Sequence, residues 1–380
     1  MPLNTIPNKG LTSRGYPSDR LVTPIIINGD MSIAQRGTST NNTSGAPYLI
    51  DRFRNQAVYG STAPTATIAI SQSTTVPTGQ GFVKSTKYDV TTAQASLTTD
   101  TGYALEQRIE GQNLQMIKKG TSNAEKLTLA FWVRSNKTGT YIAELADMDN
   151  SRQCSQAYTI SSADTWEKKV LNYPADTTGA YDNDNATSLK LRIWVAAGAT
   201  YTGGTLATTW AATSAGNSAV GQVNLVDSTS NEWYITGVQL EVGEFDSTTI
   251  PSFPFESYES NLRKCQRYLY RMGGVANKYK RLGIHLTNAN NRNQTAGHFY
   301  LPVMMRAEPT VTVNGTVFGG YLGGANSYSS FGGNMEDANS SKNFNVLRFS
   351  GTLSGNSGNH CVVTDIQYSS TGYMEADADL

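Results

Sequence analysis

Trp132 and Arg134 stand two residues apart in LTLAFWVRS, and Arg192 and Trp194 do the same in LKLRIWVA. Side chains two apart on a strand share a face. An indole held flat beside a guanidinium can stack on the C–H face of a pyranose ring while the arginine donates hydrogen bonds to its hydroxyls. Trp132, Arg134, Arg192 and Trp194 are therefore the candidate sugar-binding residues. Tyr201 and Trp210, on a polar loop further along, join them with looser geometry. A second reading stays open, because an outward tryptophan can equally be covered by a loop or by another subunit.

Other chemistry finds less support. The histidines, His285, His298 and His360, all lie in the C-terminal third, and no nucleophile-elbow, zincin or Ser-x-x-Lys motif frames them. Asp147-Met148-Asp149-Asn150 and Asp182-Asn183-Asp184-Asn185 gather oxygens of the kind calcium takes. Both lack the glycine and distal glutamate of an EF-hand loop, and turn chemistry explains them without a metal. Neither a catalytic residue, a metal nor a cofactor is expected.

The elements that must position these residues are strands. Leu127, Leu129, Phe131 and Val133 alternate with Thr128, Trp132 and Arg134, and Leu189, Leu191, Ile193 and Val195 alternate with Lys190, Arg192 and Trp194. In WYITGVQLEV the apolar parity changes between Ile235 and Val238, which predicts a bulge at Gly237. Long polar loops are expected at Asp176 to Ser188 and Tyr201 to Gly221. Leu262, Cys265, Leu269 and Met272 follow a 3-4-3 spacing that predicts one side of a short helix stopped by Gly273-Gly274. That apolar stripe, flanked by Arg263, Lys264 and Arg267, is also the candidate contact between subunits. Beyond it, strands are expected at Phe299 to Met305, Thr310 to Phe318, Phe344 to Ser350 and His360 to Tyr368. Tyr321, Tyr328 and Phe331 lie among glycines there, a composition suited to an adaptable recognition loop.

Composition agrees. Only 16% of the 380 residues are charged, whereas Gly numbers 35 and Tyr 20, the texture of short strands joined by polar turns. Lys+Arg 30 balances Asp+Glu 30, so no electrostatic footprint for nucleic acid is present. Cys154, Cys265 and Cys361 are odd in number and widely spaced, which reads as buried thiols rather than a disulfide framework. No run reaches the roughly 18 apolar residues of a membrane span, so membrane insertion is not expected.

Five stretches carry a resemblance: IIINGDMSIAQRGTST (Ile25 to Thr40), LTLAFWVRSNKTGTY (Leu127 to Tyr141), WYITGVQLEVGEF (Trp233 to Phe245), PFESYESNLRKCQRYLYR (Pro254 to Arg271) and LPVMMRAEPTVTVNGT (Leu301 to Thr316). In this order they are similar to a family of tailed-phage virion proteins, mostly tail fibres or appendages, with a jelly roll like that of carbohydrate-binding modules. The resemblance implies an all-β protein in three parts: an N-terminal attachment arm over 1–24, a jelly-roll β-sandwich over 25–256, and a short helix with a C-terminal β-rich domain over 257–380. It implies a non-enzymatic structural component made in the host cytoplasm and placed in the virion, on the tail rather than the capsid surface. Its expected partners are itself, as a homotrimer, other virion proteins through the arm, and host-surface polysaccharide. A capsid decoration or head-fibre protein and a capsule-degrading glycosidase are the alternatives.

Overall fold

The computed structural model describes residues 24–42, 44–60, 62–273, 278–286, 294–314, 316–321, 335–337, 346–352, 361–368 and 373–380; within 278–299 and 313–368 it describes the backbone alone. The expected arm, apart from Pro24, falls outside these residues, as do His360, Tyr328 and Phe331. His285, His298 and Tyr321 lie on strands whose side chains are likewise outside the description. The chain forms two compact units, which divide between Tyr258 and Glu259.

The first unit is an all-β sandwich of jelly-roll type. One sheet runs β1 (Ser39–Asn42), β3 (Thr67–Ser73), β4 (Ser85–Thr92), β12 (Glu232–Val242), β6 (Leu127–Ser135), β9 (Glu167–Tyr173) in spatial order. The other runs β11 (Ala211–Ala212), β8 (Arg152–Ile160), β7 (Gly139–Asp147), β10 (Thr187–Ala197), β5 (Gly102–Glu110), β2 (Phe53–Val58). Every pairing is antiparallel, so each strand offers alternate side chains to the space between the sheets. The predicted alternation decides which: Leu129, Phe131 and Val133 of β6 and Leu189, Leu191 and Ile193 of β10 are all buried in one core. Tyrosines reach into this core and anchor their hydroxyls at its rim. Tyr88 donates to Asn55 Oδ1 at 2.7 Å, and Tyr103 and Tyr173 donate to backbone oxygens at 3.0 Å. In these three a buried ring keeps its polar end satisfied.

The bulge forms where the parity change placed it. Pairing of β12 with β6 slips between Thr236 and Gln239, and Gly237 takes φ +66°, which a residue with a Cβ rarely adopts. The freed Val238 amide donates to the Gly29 carbonyl at 2.9 Å. A Cβ on Gly29 would lie 2.0 Å from the Val238 oxygen, so a glycine is required at that approach. The N-G-D-M and G-V-Q-L stretches, 209 residues apart from Gly29 to Val238, are thereby two halves of one joint. Asn28 completes it: its amide nitrogen donates to the carbonyls of Ile33 and Asp51, and its oxygen accepts from the Ile33 amide, each at 2.9 Å.

Among its described residues, the second unit begins with a helix and continues in three small antiparallel sheets. The helix, Tyr258–Gln266, is shorter than the apolar spacing predicted. It closes in a turn where the Tyr268 amide donates to the Cys265 carbonyl, and Leu269–Gly273 is a strand, β13, paired with β21 (Tyr373–Asp377). Leu269 and Met272 are therefore strand residues, a correction to the helical reading. The run Tyr268-Leu269-Tyr270 is rich in β-formers, and pairing with β21 outweighs the spacing. Cys265 and Leu269 are interior residues of this unit, and Leu262 and Met272 are half-buried, so the four do not form an outward stripe. β16 (Thr310–Asn314) pairs on the far side of β21, and Met305, from the Pro-Val-Met-Met-Arg-Ala stretch, is buried. Arg306 Nε donates to the Ala378 carbonyl at 2.7 Å.

Candidate functional site

Each sheet has an outer face, and the two tryptophan–arginine pairs fall on different ones. Trp132 and Arg134 belong to β6 in the first sheet, Arg192 and Trp194 to β10 in the second. They cannot make one platform. Their strands share the same apolar alternation because both face the same core, from opposite sides.

On the first sheet, ladder pairing sets Lys87 of β4 opposite Tyr234 of β12, and Tyr234 opposite Arg134 of β6. Val133 pairs with Glu167, which brings Trp166 to the next step beside Arg134. A row of alternating cations and aromatic rings results. The Arg134 guanidinium lies 5.1 Å and the Lys87 ammonium 5.8 Å from the Tyr234 ring centre, and Trp166 meets Tyr234 edge-on at 6.2 Å. Arg134 is fixed by Asp164, donating to its backbone oxygen and to Oδ1, each at 2.9 Å. Tyr234 and Lys87 both donate to Glu232, at 2.7 and 2.5 Å. Burial would raise the Glu232 pKa, but these two donors outweigh it and hold it below the ordinary carboxylate range. Trp132, one ladder step along and paired with Lys168, is half-exposed, as is Trp166. This face offers two accessible indoles flanking an oriented guanidinium.

The second sheet carries a different row. Arg54 of β2, Glu106 of β5, Arg192 of β10 and Glu144 of β7 stand opposite one another in turn. Arg192 Nη2 lies 2.8 Å from Glu106 and Nη1 3.2 Å from Glu144. Burial would raise the pKa of Glu106, but Arg192 and Arg108 together outweigh it and hold it down to about 2. Trp194, the neighbour of this row, is 1% exposed. Its Nε1 donates to Glu144 at 3.0 Å, and Tyr201 packs on its ring with centres 5.1 Å apart. Trp194 is thus a covered residue and not a sugar platform. Its cover is the long loop after β10, which begins with a single helical turn, α1 (Ala199–Thr202), and returns across the sheet. Gln153 and Ser155 of β8 hold that loop by donating to the carbonyls of Ser214 and Ser218, at 2.9 Å each. Trp210, lower on the loop, donates to the Pro174 carbonyl at 2.9 Å and is half-buried. Tyr201 is part of the cover, whereas Trp210 packs against the core between the sheets.

A lysine ties the first acidic stretch to Asp176, which precedes the second. Lys119, 4% exposed, places its ammonium 2.6 Å from Asp147 and 3.0 Å from Asp176, with the rings of Tyr181 and Trp210 at 5.2 and 5.5 Å. Asp147 also accepts from the amides of Asp149 and Asn150, and Asp149 accepts from the Asp182 amide. No cluster able to hold a metal ion occurs among the described residues. Cys154 is a buried free thiol, its pKa pushed up to about 12 by burial, and Cys265 is buried as well.

Trp166, Tyr234, Glu106 and Glu144 were not singled out from the sequence. Alternation in YALEQRIE places Glu106 and Arg108 outward, and pairing Leu171 with Leu129 places Trp166 beside Arg134. The first signal is local, whereas the second needs the partner strand.

No protein-family model matches the sequence, and no curated protein sequence matches it. Among solved structures, the chain is similar to the enzymatically active domain of bacteriophage CBA120 tailspike protein 4, at 13% identity over 58% of this chain and 21% of that chain, with a TM-score of 0.30. It is similar to the module TmCBM61 in complex with β-1,4-galactotriose, at 10% identity over 58% of this chain and 99% of that one, TM-score 0.28. A family 11 carbohydrate-binding module from Clostridium thermocellum, in complex with a mixed-linked tetrasaccharide, aligns at 11% identity over 55% and 98% of the two chains, TM-score 0.27. The chain spans about a fifth of the tailspike domain's length.

Proposed function

We propose that this chain is a non-enzymatic structural component of a tailed-phage particle, a tail fibre or related appendage, that binds host-surface glycan on the outer face of its first sheet. The observation that carries the binding reading is the row of Lys87, Tyr234, Arg134 and Trp166, with Trp132 one step away. Its indoles are half-exposed, and its guanidinium is already oriented by Asp164, so little ordering is needed when a sugar stacks. The particle assignment is supported by the five stretches of resemblance, two of which meet at the Gly29 and Val238 joint. Attachment through residues 1–24 and assembly as a homotrimer belong to the same proposal.

A glycosidase reading finds no support in the carboxylate pair of the second sheet, Glu106 and Glu144. A general acid must hold a proton near working pH, and Glu106, at about 2, does not. Glu106 and Glu144 share Arg192 and serve it as ion-pair partners.

The test is retention of the full chain on immobilised host-surface polysaccharide. Trp166→Ala is expected to reduce retention about tenfold or more, equivalent to about 1.4 kcal/mol, with an unchanged thermal midpoint. Full retention by both Trp166→Ala and Trp132→Ala sinks the binding reading. Labelling of purified particles with a specific antibody tests the location, and signal on the capsid instead of the tail overturns the fibre assignment.

A further inference from the structure

The second-sheet face carries a charge imbalance that packing does not require. Arg54, Arg108, Lys190 and Arg192 project from β2, β5 and β10 against Glu106 and Glu144, so four cations share two carboxylates at these positions, while Glu110, the next residue of that parity on β5, accepts from Gln112. Glu106 already takes Arg108 and Arg192 at 2.8 Å and Arg54 at 3.6 Å. Lys190 is left over. Among the described residues no carboxylate oxygen stands within 4.0 Å of its ammonium. Its ladder partner on β5 is Arg108, and its partner on β7 is Ala146. Like charges directly opposite on antiparallel strands destabilise the sheet. Arg108 adds a second vacancy of the same kind. It donates through Nε to Glu106, while its two terminal nitrogens make no hydrogen bond to the described residues. Burial lowers the Lys190 pKa, and Arg108, Arg192 and Arg54 push it the same way against Glu106, as expected where positive charge is in excess.

We infer that this face binds the carboxylate of an acidic sugar unit, held between Lys190 and the terminal nitrogens of Arg108. Facing positions on paired strands stand about 5 Å apart, which suits one carboxylate spanning two donors. A nucleic-acid backbone needs a longer basic track, and the whole chain is neutral. The inference rests on the glycan-binding reading above and adds a second contact on the opposite face. It assigns the ligand a charge that the aromatic row does not demand.

The experiment titrates the full chain with alginate, with polygalacturonate and with the carboxyl-reduced, neutral form of each. At least one acidic polymer is expected to bind tenfold or more tightly than its reduced form, and added salt should erase that difference. Lys190→Gln and Lys190→Glu should abolish the preference while leaving the thermal midpoint unchanged or raised, since each relieves repulsion with Arg108. A merely structural lysine would move the midpoint and not the preference. Equal binding of acidic and reduced polymers overturns this inference and leaves the aromatic row standing. Absence of binding to any polymer counts against both, and an acid preference that survives both Lys190 variants overturns the assignment to this face.

Discussion

The two outer faces of the sandwich are built by the same rule and end in opposite states. Each carries a row of large polar or aromatic side chains across four strands, and each includes a tryptophan two residues from an arginine. On the first sheet, rings alternate with cations and the indoles remain half-exposed. On the second, carboxylates alternate with cations, and Trp194 is sealed beneath the loop that follows its own strand. The difference lies in what is paired and what comes back over the face. A tryptophan whose Nε1 meets a buried carboxylate is anchored in place, whereas Trp132 stays half-exposed beside Lys168. Outward parity therefore makes a residue available, and the connections decide whether it stays so.

Truncating the two tryptophans should separate the faces most sharply. Trp194→Ala is expected to cost about 3 to 5 kcal/mol in chemical denaturation, because it opens a cavity under the loop and leaves Glu144 with Arg192 as its remaining donor. Trp132→Ala should cost under about 1 kcal/mol, as surface substitutions do. Equal costs would erase the distinction between covered and open faces.

Removing the shared cation of the second face comes next. Arg192→Met leaves Glu106 and Glu144 buried without their common partner, for which a loss of about 3 to 5 kcal/mol is expected. The matching change on the first face, Arg134→Met, removes an exposed pair with Asp164 and should cost under about 1 kcal/mol.

Acid should distinguish the faces less strongly but in a defined window. Glu106 is held at about 2 against an ordinary 4.5, so its contribution is complete above pH 4.5 and is lost as pH falls towards 2. Wild type is expected to lose up to about 3 kcal/mol through this group over that range. Glu106→Gln should lack that portion of the acid dependence when unfolding is followed by circular dichroism. Parallel pH profiles for the two proteins would remove Glu106 as the acid-sensitive group.

The smallest expected effect is on the joint between motifs. Gln107 mimics a strand partner, accepting from the Ile27 amide and donating to the Ile27 carbonyl, each at 2.9 Å. Gln107→Leu should lower stability by about 1 to 3 kcal/mol by leaving two backbone groups unmet, and hydrogen exchange should increase at Ile27 first. Unchanged exchange there would show that the entry segment is held by Asn28 and Gly29 alone.

Much of this was legible in the residues. Alternation in β6 and β10 named their inward sides correctly, and the parity change in WYITGVQLEV located the bulge at Gly237, because a period of two leaves no freedom in which side chains face a core. The all-β character followed from the same pattern. The helix was misjudged beyond Gln266, since a 3-4-3 spacing of Leu262, Cys265, Leu269 and Met272 also fits a helix followed by a strand. Pairing with β21, which lies about a hundred residues later in the chain, settles that choice. Trp166 was not singled out, because its place beside Arg134 depends on the pairing of β6 with β9.

What the sequence determined by itself is the direction each strand residue faces and the places where glycine must stand, because both follow from local geometry and sterics. What only the tertiary structure decided is which faces are open. Trp132 and Trp194 sit in nearly identical local patterns, yet one meets solvent and the other a buried carboxylate and a returning loop. Exposure depends on segments brought together from distant positions, Glu144 and Tyr201 in the case of Trp194, and local spacing carries no record of them.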